Sequence, residues 1–182
     1  MKRFTDAGRL ALKSDNFYAA LSLALMIPDI CGSVEDPGPG KSQKRYERWC
    51  EQWVVPKFTT EIGFPPAKHI FLTAANCYQL RCSLIHSGRS DIDLSKRKDI
   101  DNFAFFDNST GSHCNYFGSN TFNGIKQPNI LQLNAAQFSE TLYLAAEEWD
   151  QSIANNAALQ VEKAKLLVIH SKGAIVGGVH FG

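Results

Sequence analysis

Hydrophobic residues fall along this chain in blocks, and most of the blocks have the period of a helix. The most apolar, NFYAALSLALMI, has few polar interruptions from Phe17 to Ile27 and predicts a helix buried nearly all round, at the centre of a bundle. Asn16 or Asp15 is placed to cap its start. Pro28 disfavours helical geometry in the residue before it, so Ile27 is the expected last residue. Asp29 then reads as a cap or turn residue, with a salt-bridge partner or a site residue as the alternatives. A second helix is expected from about Ser42, where Tyr46, Trp49 or Cys50, and Trp53 recur on one side. Lys44, Arg45, Glu47, Arg48 and Glu51 cover the other.

The stretch TAANCYQLRCSLIHSG, Thr73 to Gly88, predicts a short third helix capped by the Thr73 hydroxyl and stopped by Gly88. Cys77, Leu80 and Leu84 recur at three- and four-residue steps and should face the core, leaving Arg81 and His86 outside that stripe. The last strong helix opens at Asn134, with Gln137 three residues on, close to a capping-box arrangement. Phe138, Leu142, Ala145, Trp149 and Ile153 keep one face apolar, and Glu147, Glu148 and Asp150 are expected on its solvated side.

Between these helices the pattern loosens. VEDPGPG (34–40) is a loop, and Gly-Phe-Pro-Pro (63–66) is a firm break before HIFL, which reads as a short helical or extended segment. Residues 89–134 are rich in Asn, Asp, Ser, Gly and Phe. They read as an insertion between bundle helices, too aromatic to be disordered, forming a small β-hairpin or a packed irregular excursion. From Val161 the chain continues helical or turns into a strand, and the apolar, Gly-rich tail AIVGGVHFG is expected to dock on the protein or on a second copy.

Length and charge narrow the picture. With 182 residues and 44% hydrophobic content the chain suggests one domain, residues 1–182. Nineteen Lys and Arg against 18 Asp and Glu give a formal net charge of +1, so no global field marks a nucleic-acid or membrane binder, and an anion site must be local. Five cysteines without paired CxxC spacing fit reduced thiols in a cytoplasmic protein. Met1-Lys2-Arg3-Phe4 leads into a polar, mixed-charge segment with no signal-peptide pattern, and Phe17 to Ile27 is too short to span a bilayer.

Several chemistries find no support. GVHFG and GPGKS lack the spacing of a phosphate-binding glycine loop, and no HExxH or paired CxxC argues for zinc. Neither a metal nor another cofactor is expected. Cys77, Cys82, His86, His113 and Cys114 have no diagnostic metal spacing, and small thiols on a core helix explain Cys77 and Cys82. A cysteine nucleophile with His86 or His113 as base is weakly supported. The basic cluster Lys41, Lys44, Arg45 and Arg48, with aromatics interleaved, has the chemistry to touch a phosphate backbone, although such a face is more often merely solvated.

Arg81-Cys-Ser-Leu-Ile-His86 remains. Arg-x4-His near a helix C-terminus resembles the signature of the HEPN superfamily, and the surrounding YxLR and HSG look like the small prokaryotic members. The order of a buried first helix, a basic amphipathic second helix and the motif helix is also similar to that bundle. The resemblance covers about Phe4 to Gly88, with the last long helix as a fourth member, and implies a mainly α, HEPN-like helical bundle.

It further implies a metal-independent endoribonuclease, often a toxin or defence effector, acting as a homodimer with a neutralising antitoxin or regulatory protein as partner. In such a site Arg81 binds the scissile phosphate, and His86 exchanges protons with the ribose 2′-OH and the leaving oxygen, giving a 2′,3′-cyclic phosphate. Lys44, Arg45, Arg48 and Tyr78 would add RNA contacts. Five residues along an ideal helix place Arg81 and His86 about 140° apart, which favours a site shared between two subunits or a bend at the helix end. Active members commonly carry a polar residue where Cys82 stands. Either this branch is catalytically altered, or Ser83 together with another polar group, Asp29 or Asn76, substitutes. The rival reading is a non-catalytic HEPN-type module that binds a nucleotide or regulates a partner protein. Arg and His in the last turns of a helix also suit its dipole without any substrate, and a Tyr78–Arg81 stack would need none.

Overall fold

The computed structural model describes residues 1–92, 100–109, 111–118 and 120–182. Among the described residues there are six α-helices, about half of the chain: α1 (Lys2–Lys13), α2 (Phe17–Glu35), α3 (Ser42–Trp53), α4 (Ala74–Ser87), α5 (Ala135–Ser152) and α6 (Ala157–Ala164). The protein is therefore mainly α, with small sheets. Helix α2 is central: it packs on α1, α3 and α5 and reaches α4 and α6. Leu21, Leu25, Ile27, Cys31 and Val34 of α2 meet Tyr46, Trp49 and Cys50 of α3 and Phe138, Leu142, Tyr143 and Trp149 of α5 in one core. Each large apolar side chain removed from water there contributes about 1.5–3 kcal/mol before entropy is counted.

Helix α2 does not stop at Ile27, as the proline rule predicts; it runs through Pro28 to Glu35. Pro28 removes one N–H from the helix ladder, at a cost of about 3 kcal/mol in an isolated helix. Neighbouring helices hold the turns that lead into that gap. The Tyr46 hydroxyl of α3 donates to the Leu25 carbonyl at 3.2 Å, and the Tyr143 hydroxyl of α5 donates to the Ala20 carbonyl at 2.7 Å. Burial of Cys31 and Val34 beyond the proline then rewards continuation. At 19 residues and a mean hydropathy of 1.6, α2 has the length and composition of a membrane span, contrary to the shorter segment expected, but half of that window is buried inside the bundle.

Helix α1 was not legible as a helix, because its inner face is made of small or polar residues. Thr5 and Gly8 are the buried positions. Arg9 forks between Glu140 (Nη2–Oε1 2.7 Å) and Glu147 of α5, and the Thr5 hydroxyl also donates to Glu147 at 3.0 Å. Met1's amino group and Lys163 both reach Asp150, and Lys57 reaches Glu148. The three acids expected on a solvated face are thus ion-paired ties to other elements. Gly8 is needed for close approach: an added Cβ would stand 2.1 Å from the hydroxyl oxygen of buried Tyr143. Gly8→Ala is expected to lower stability by about 1–3 kcal/mol in urea melts, the clash outweighing the helix-propensity gain of up to about 1 kcal/mol.

The segment between α3 and α4 is extended. A 3-10 turn (Val55–Phe58) leads into β1 (Thr59–Ile62), which pairs antiparallel with β2 (Ala67–Ile70), so the extended alternative for His69-Ile70 holds. The stretch at 89–134 is more than a hairpin. Strand β3 (Asn102–Phe106) pairs in parallel with β7 (Ile130–Asn134), and β4 (Asn115–Phe117) pairs antiparallel with β7's other edge. A two-residue hairpin of β5 (Thr121–Phe122) and β6 (Ile125–Lys126) projects from it. Phe103, Leu131 and Leu133 are buried in the main core, so the sheet belongs to the domain. Positions 93–99, 110 and 119 of that stretch lie outside the described residues. After α6, β8 (Ala174–Val176) and β9 (Val179–Phe181) form a terminal hairpin whose Ile175, Val179 and Phe181 side chains are exposed.

Strand β7 ends on Asn134, whose side chain caps α5 by accepting the Gln137 N–H at 2.9 Å. The Asn134 N–H donates to His113 Nδ1 at 3.1 Å, and the His113 ring lies 5.9 Å from that of Phe58. Burial pushes His113 below its ordinary value of 6.5. A histidine kept neutral in the fold adds stability that is full above about pH 6.5 and is lost as pH falls through the lower folded value. Stability is expected to decline as pH falls below about 6.5, and His113→Gln to flatten that decline in pH-dependent urea melts. Glu147 and Asp150, held below ordinary values of 4.5 and 3.8, lose their contributions only at lower pH.

Candidate functional site

Helix α4 is bounded as its sequence implies. Thr73 Oγ1 accepts the Asn76 N–H at 3.1 Å, and Gly88, at φ 62°, takes the left-handed cap while its N–H bonds the Leu84 carbonyl at 2.9 Å. Its inner face buries Ala74, Asn76, Cys77 and Leu80, with Leu84 half-buried against the core. Arg81 emerges beside α2, and His86 is exposed in the last turn.

Arg81 is held at two nitrogens. Its Nε donates to Asp29 Oδ2 at 2.7 Å, and its Nη1 lies 2.9 Å from His86 Nε2. A guanidinium has no acceptor, so as a hydrogen bond the second contact requires a lone pair on His86 Nε2, with a ring proton on Nδ1. Burial alone would lower the Arg81 pKa, but the charge of Asp29 and its hydrogen bond outweigh burial and raise it. The two motif residues therefore meet within one chain. Arg81's long side chain, turned by Asp29 toward the helix end, closes the angle that was expected to need a bend or a second subunit. Asp29 is neither cap nor turn: continuation of α2 through Pro28 puts it on a helix face opposite Arg81.

The remaining expected site residues divide. Tyr78 packs edge-on against Tyr46, ring centroids 5.4 Å apart at 64°, and is linked to Arg81's neighbourhood through Cys82. Burial raises the Tyr78 pKa, contact with the Cys82 thiol adds to the rise, and the Ser42 hydroxyl and Arg81 oppose it. Ser83 donates to the Asp91 carbonyl at 2.6 Å, pinning the chain after the helix, and Asn76 is buried in the first turn with its N–H capped by Thr73. Of these three polar residues, Asp29 is the one whose side chain is hydrogen-bonded to Arg81.

The basic trio of α3 does not gather at the pair. Arg45 Nη1 donates to the carbonyls of Asp36 (2.9 Å) and Gly38 (2.6 Å), closing the loop between α2 and α3. Arg48 stands 3.7 Å from both Glu35 and Asp36, and Lys41 bonds Asp36, whose carboxyl is held below its ordinary value chiefly by that bond. Lys44 and Arg48 line a shallow groove with Glu47, Glu51 and Thr73–Ala75, at the opposite end of α4 from His86. Arg45 and Arg48 therefore serve local charges and carbonyls, and Lys44 opens on a face mixed in sign.

No cluster of three or more His, Cys, Asp or Glu side chains suited to a metal occurs among the described residues. Cys77 is buried with its Sγ 3.6 Å from the Tyr46 hydroxyl and His113 is engaged at α5, so neither joins Cys82 and His86, which both contact the Arg81 side chain. All five cysteines are free thiols, and burial pushes Cys114 up to about 11, a poor nucleophile at neutral pH. In comparisons with protein-family models, curated proteins and solved structures, nothing matches the chain.

Proposed function

We propose that this protein is a metal-independent endoribonuclease of HEPN-like type, with Arg81 and His86 as its catalytic residues. The observation that carries the reading is the 2.9 Å contact between a permanently charged guanidinium and the Nε2 of an imidazole at the exposed end of α4. A scissile phosphate entering there meets Arg81's donors, which offset the extra negative charge of the phosphorane-like transition state. As the phosphate engages Nη1, His86 Nε2 becomes free to take the 2′-OH proton. The resulting imidazolium then returns a proton to the departing 5′-oxygen, leaving a 2′,3′-cyclic phosphate. No electron transfer or metal-bound water enters this scheme. RNA is the substrate class, and a cytoplasmic toxin or defence effector, assembled as a homodimer and restrained by an antitoxin or regulatory protein, is the setting that the motif implies.

A second reading, a non-catalytic module that binds a nucleotide or regulates a partner protein, is favoured by one specific feature. Arg81 is already satisfied by Asp29 and His86, so the pair is stable without substrate. The two readings separate in a cleavage assay with end-labelled structured and single-stranded RNAs in EDTA. The nuclease reading expects cleavage by the wild type and by Cys82→Ser, and none by His86→Ala. Equal inertness of the wild type and His86→Ala across the panel would favour the module.

A further inference from the structure

We propose that Asp29 is the positioning residue of this site: through Arg81 it holds His86 in the tautomer protonated at Nδ1, with the Nε2 lone pair turned to Arg81 Nη1 until a phosphate takes its place. The geometry is a relay of three side chains from two helices. Asp29 Oδ2 takes Arg81 Nε–H at 2.7 Å, and a second nitrogen of the same guanidinium meets His86 Nε2 at 2.9 Å. The guanidinium is a rigid plane, so fixing the direction of Nε fixes that of Nη1. Asp29 itself is fixed by its place on α2, one residue after Pro28, where Tyr46 and the core hold the helix. Asp29 and Arg81 keep side-chain exposures of 24% and 20%, sheltered enough for the pair to resist full competition by water. Cys82 also touches Arg81, but a neutral thiol is a weak partner beside a carboxylate.

The consequence concerns which ring nitrogen of His86 is ready to react. A free histidine side chain favours the proton on Nε2, which would present a donor to the substrate where a base is needed. Arg81, aimed by Asp29, reverses that preference by placing an N–H against Nε2. Asp29 touches neither the phosphate nor the reacting hydroxyl in this arrangement; it acts through Arg81 alone.

The tautomer claim stands on distances, while its effect on rate rests on the ribonuclease reading above, and the experiment keeps them apart. Two-bond 1H–15N correlation spectra at alkaline pH, with His86 assigned by its loss in His86→Gln, report the neutral ring directly. The expected result is a proton on Nδ1 in the wild type, a shift toward Nε2 in Asp29→Asn and in Arg81→Ala, and retention in Asp29→Glu. A wild-type His86 protonated on Nε2 overturns the proposal without any variant having to fold, as does an unchanged tautomer in Asp29→Asn. In single-turnover RNA cleavage Asp29→Asn is expected to lose roughly tenfold or more in rate with a smaller change in KM, and Asp29→Glu to recover part. An Asp29→Asn rate equal to wild type would overturn the catalytic consequence. A protein with the expected tautomers that cleaves no RNA would end the ribonuclease reading and leave the relay standing. One that cleaves RNA with the tautomer indifferent to Asp29 would do the reverse.

Discussion

Trp149→Ala is expected to remove about 3–5 kcal/mol of stability, the range found for truncating a large aromatic in a packed core. Trp149 is fully buried on α5, and its indole N–H donates to Glu35 Oε1 of α2 at 2.7 Å, so it joins the two helices that form the centre of the molecule. Set against a typical domain stability of about 5–15 kcal/mol, the loss would leave a protein close to unfolding at physiological temperature. Trp149→Phe separates the causes. It keeps a buried aromatic ring but loses the pyrrole half of the indole and with it the bond to Glu35, so it is expected to cost less than the alanine, about 1–3 kcal/mol. Urea melts of the two variants check this: equal losses would mean that the hydrogen bond, not packing, holds α2 on α5.

Arg81→Lys is expected to do the opposite, sparing the fold and removing activity. Lysine keeps the positive charge beside Asp29, so stability should change by about 1 kcal/mol or less. What it lacks is the planar fork. One ammonium on a flexible stem has no rigid plane tying the Asp29 contact to the His86 contact, and has less to offer a phosphate bidentately. Loss of one preorganised donor at a developing oxyanion typically lowers rates by about 10²–10³-fold, and that is the loss expected in single-turnover cleavage. A variant with full activity would show that charge alone suffices at this position.

The helices around the site were readable because their periodicity and caps agree: Thr73, Gly88, Asn16 and Asn134 all cap as their residue types suggest. The stripe Phe138, Leu142, Ala145, Trp149 and Ile153 is buried as expected. Where reading failed, tertiary contacts had overridden a local rule. Pro28 should end α2, but phenols from α3 and α5 and the apolar residues beyond it carry the helix onward, and with it Asp29 onto Arg81. Helix α1 is disguised by Thr5 and Gly8, whose burial depends on Tyr143 and Glu147 more than 130 residues away in the chain. The parallel pairing of β3 with β7 joins segments of five residues each, too short to show a period. The basic face of α3 was visible, but not that its arginines answer Asp36 and its neighbours.

The Arg81–His86 pair is likewise only half a sequence feature. Five-residue spacing announces the two residues but places them on diverging sides of a helix. Their contact depends on the length of arginine and on an acid from another helix. The catalytic proposal therefore needs no second chain to bring the two motif residues together, and dimerisation becomes a question of substrate grip and regulation.

The chemical end left on RNA reports 2′-OH attack itself. A defined oligoribonucleotide incubated with the protein in EDTA should yield 5′ fragments whose masses carry a 2′,3′-cyclic phosphate, absent when His86→Ala replaces the wild type. Fragments ending in a 3′-hydroxyl, or RNA left intact by the wild-type protein, would contradict 2′-OH attack by the Arg81–His86 pair.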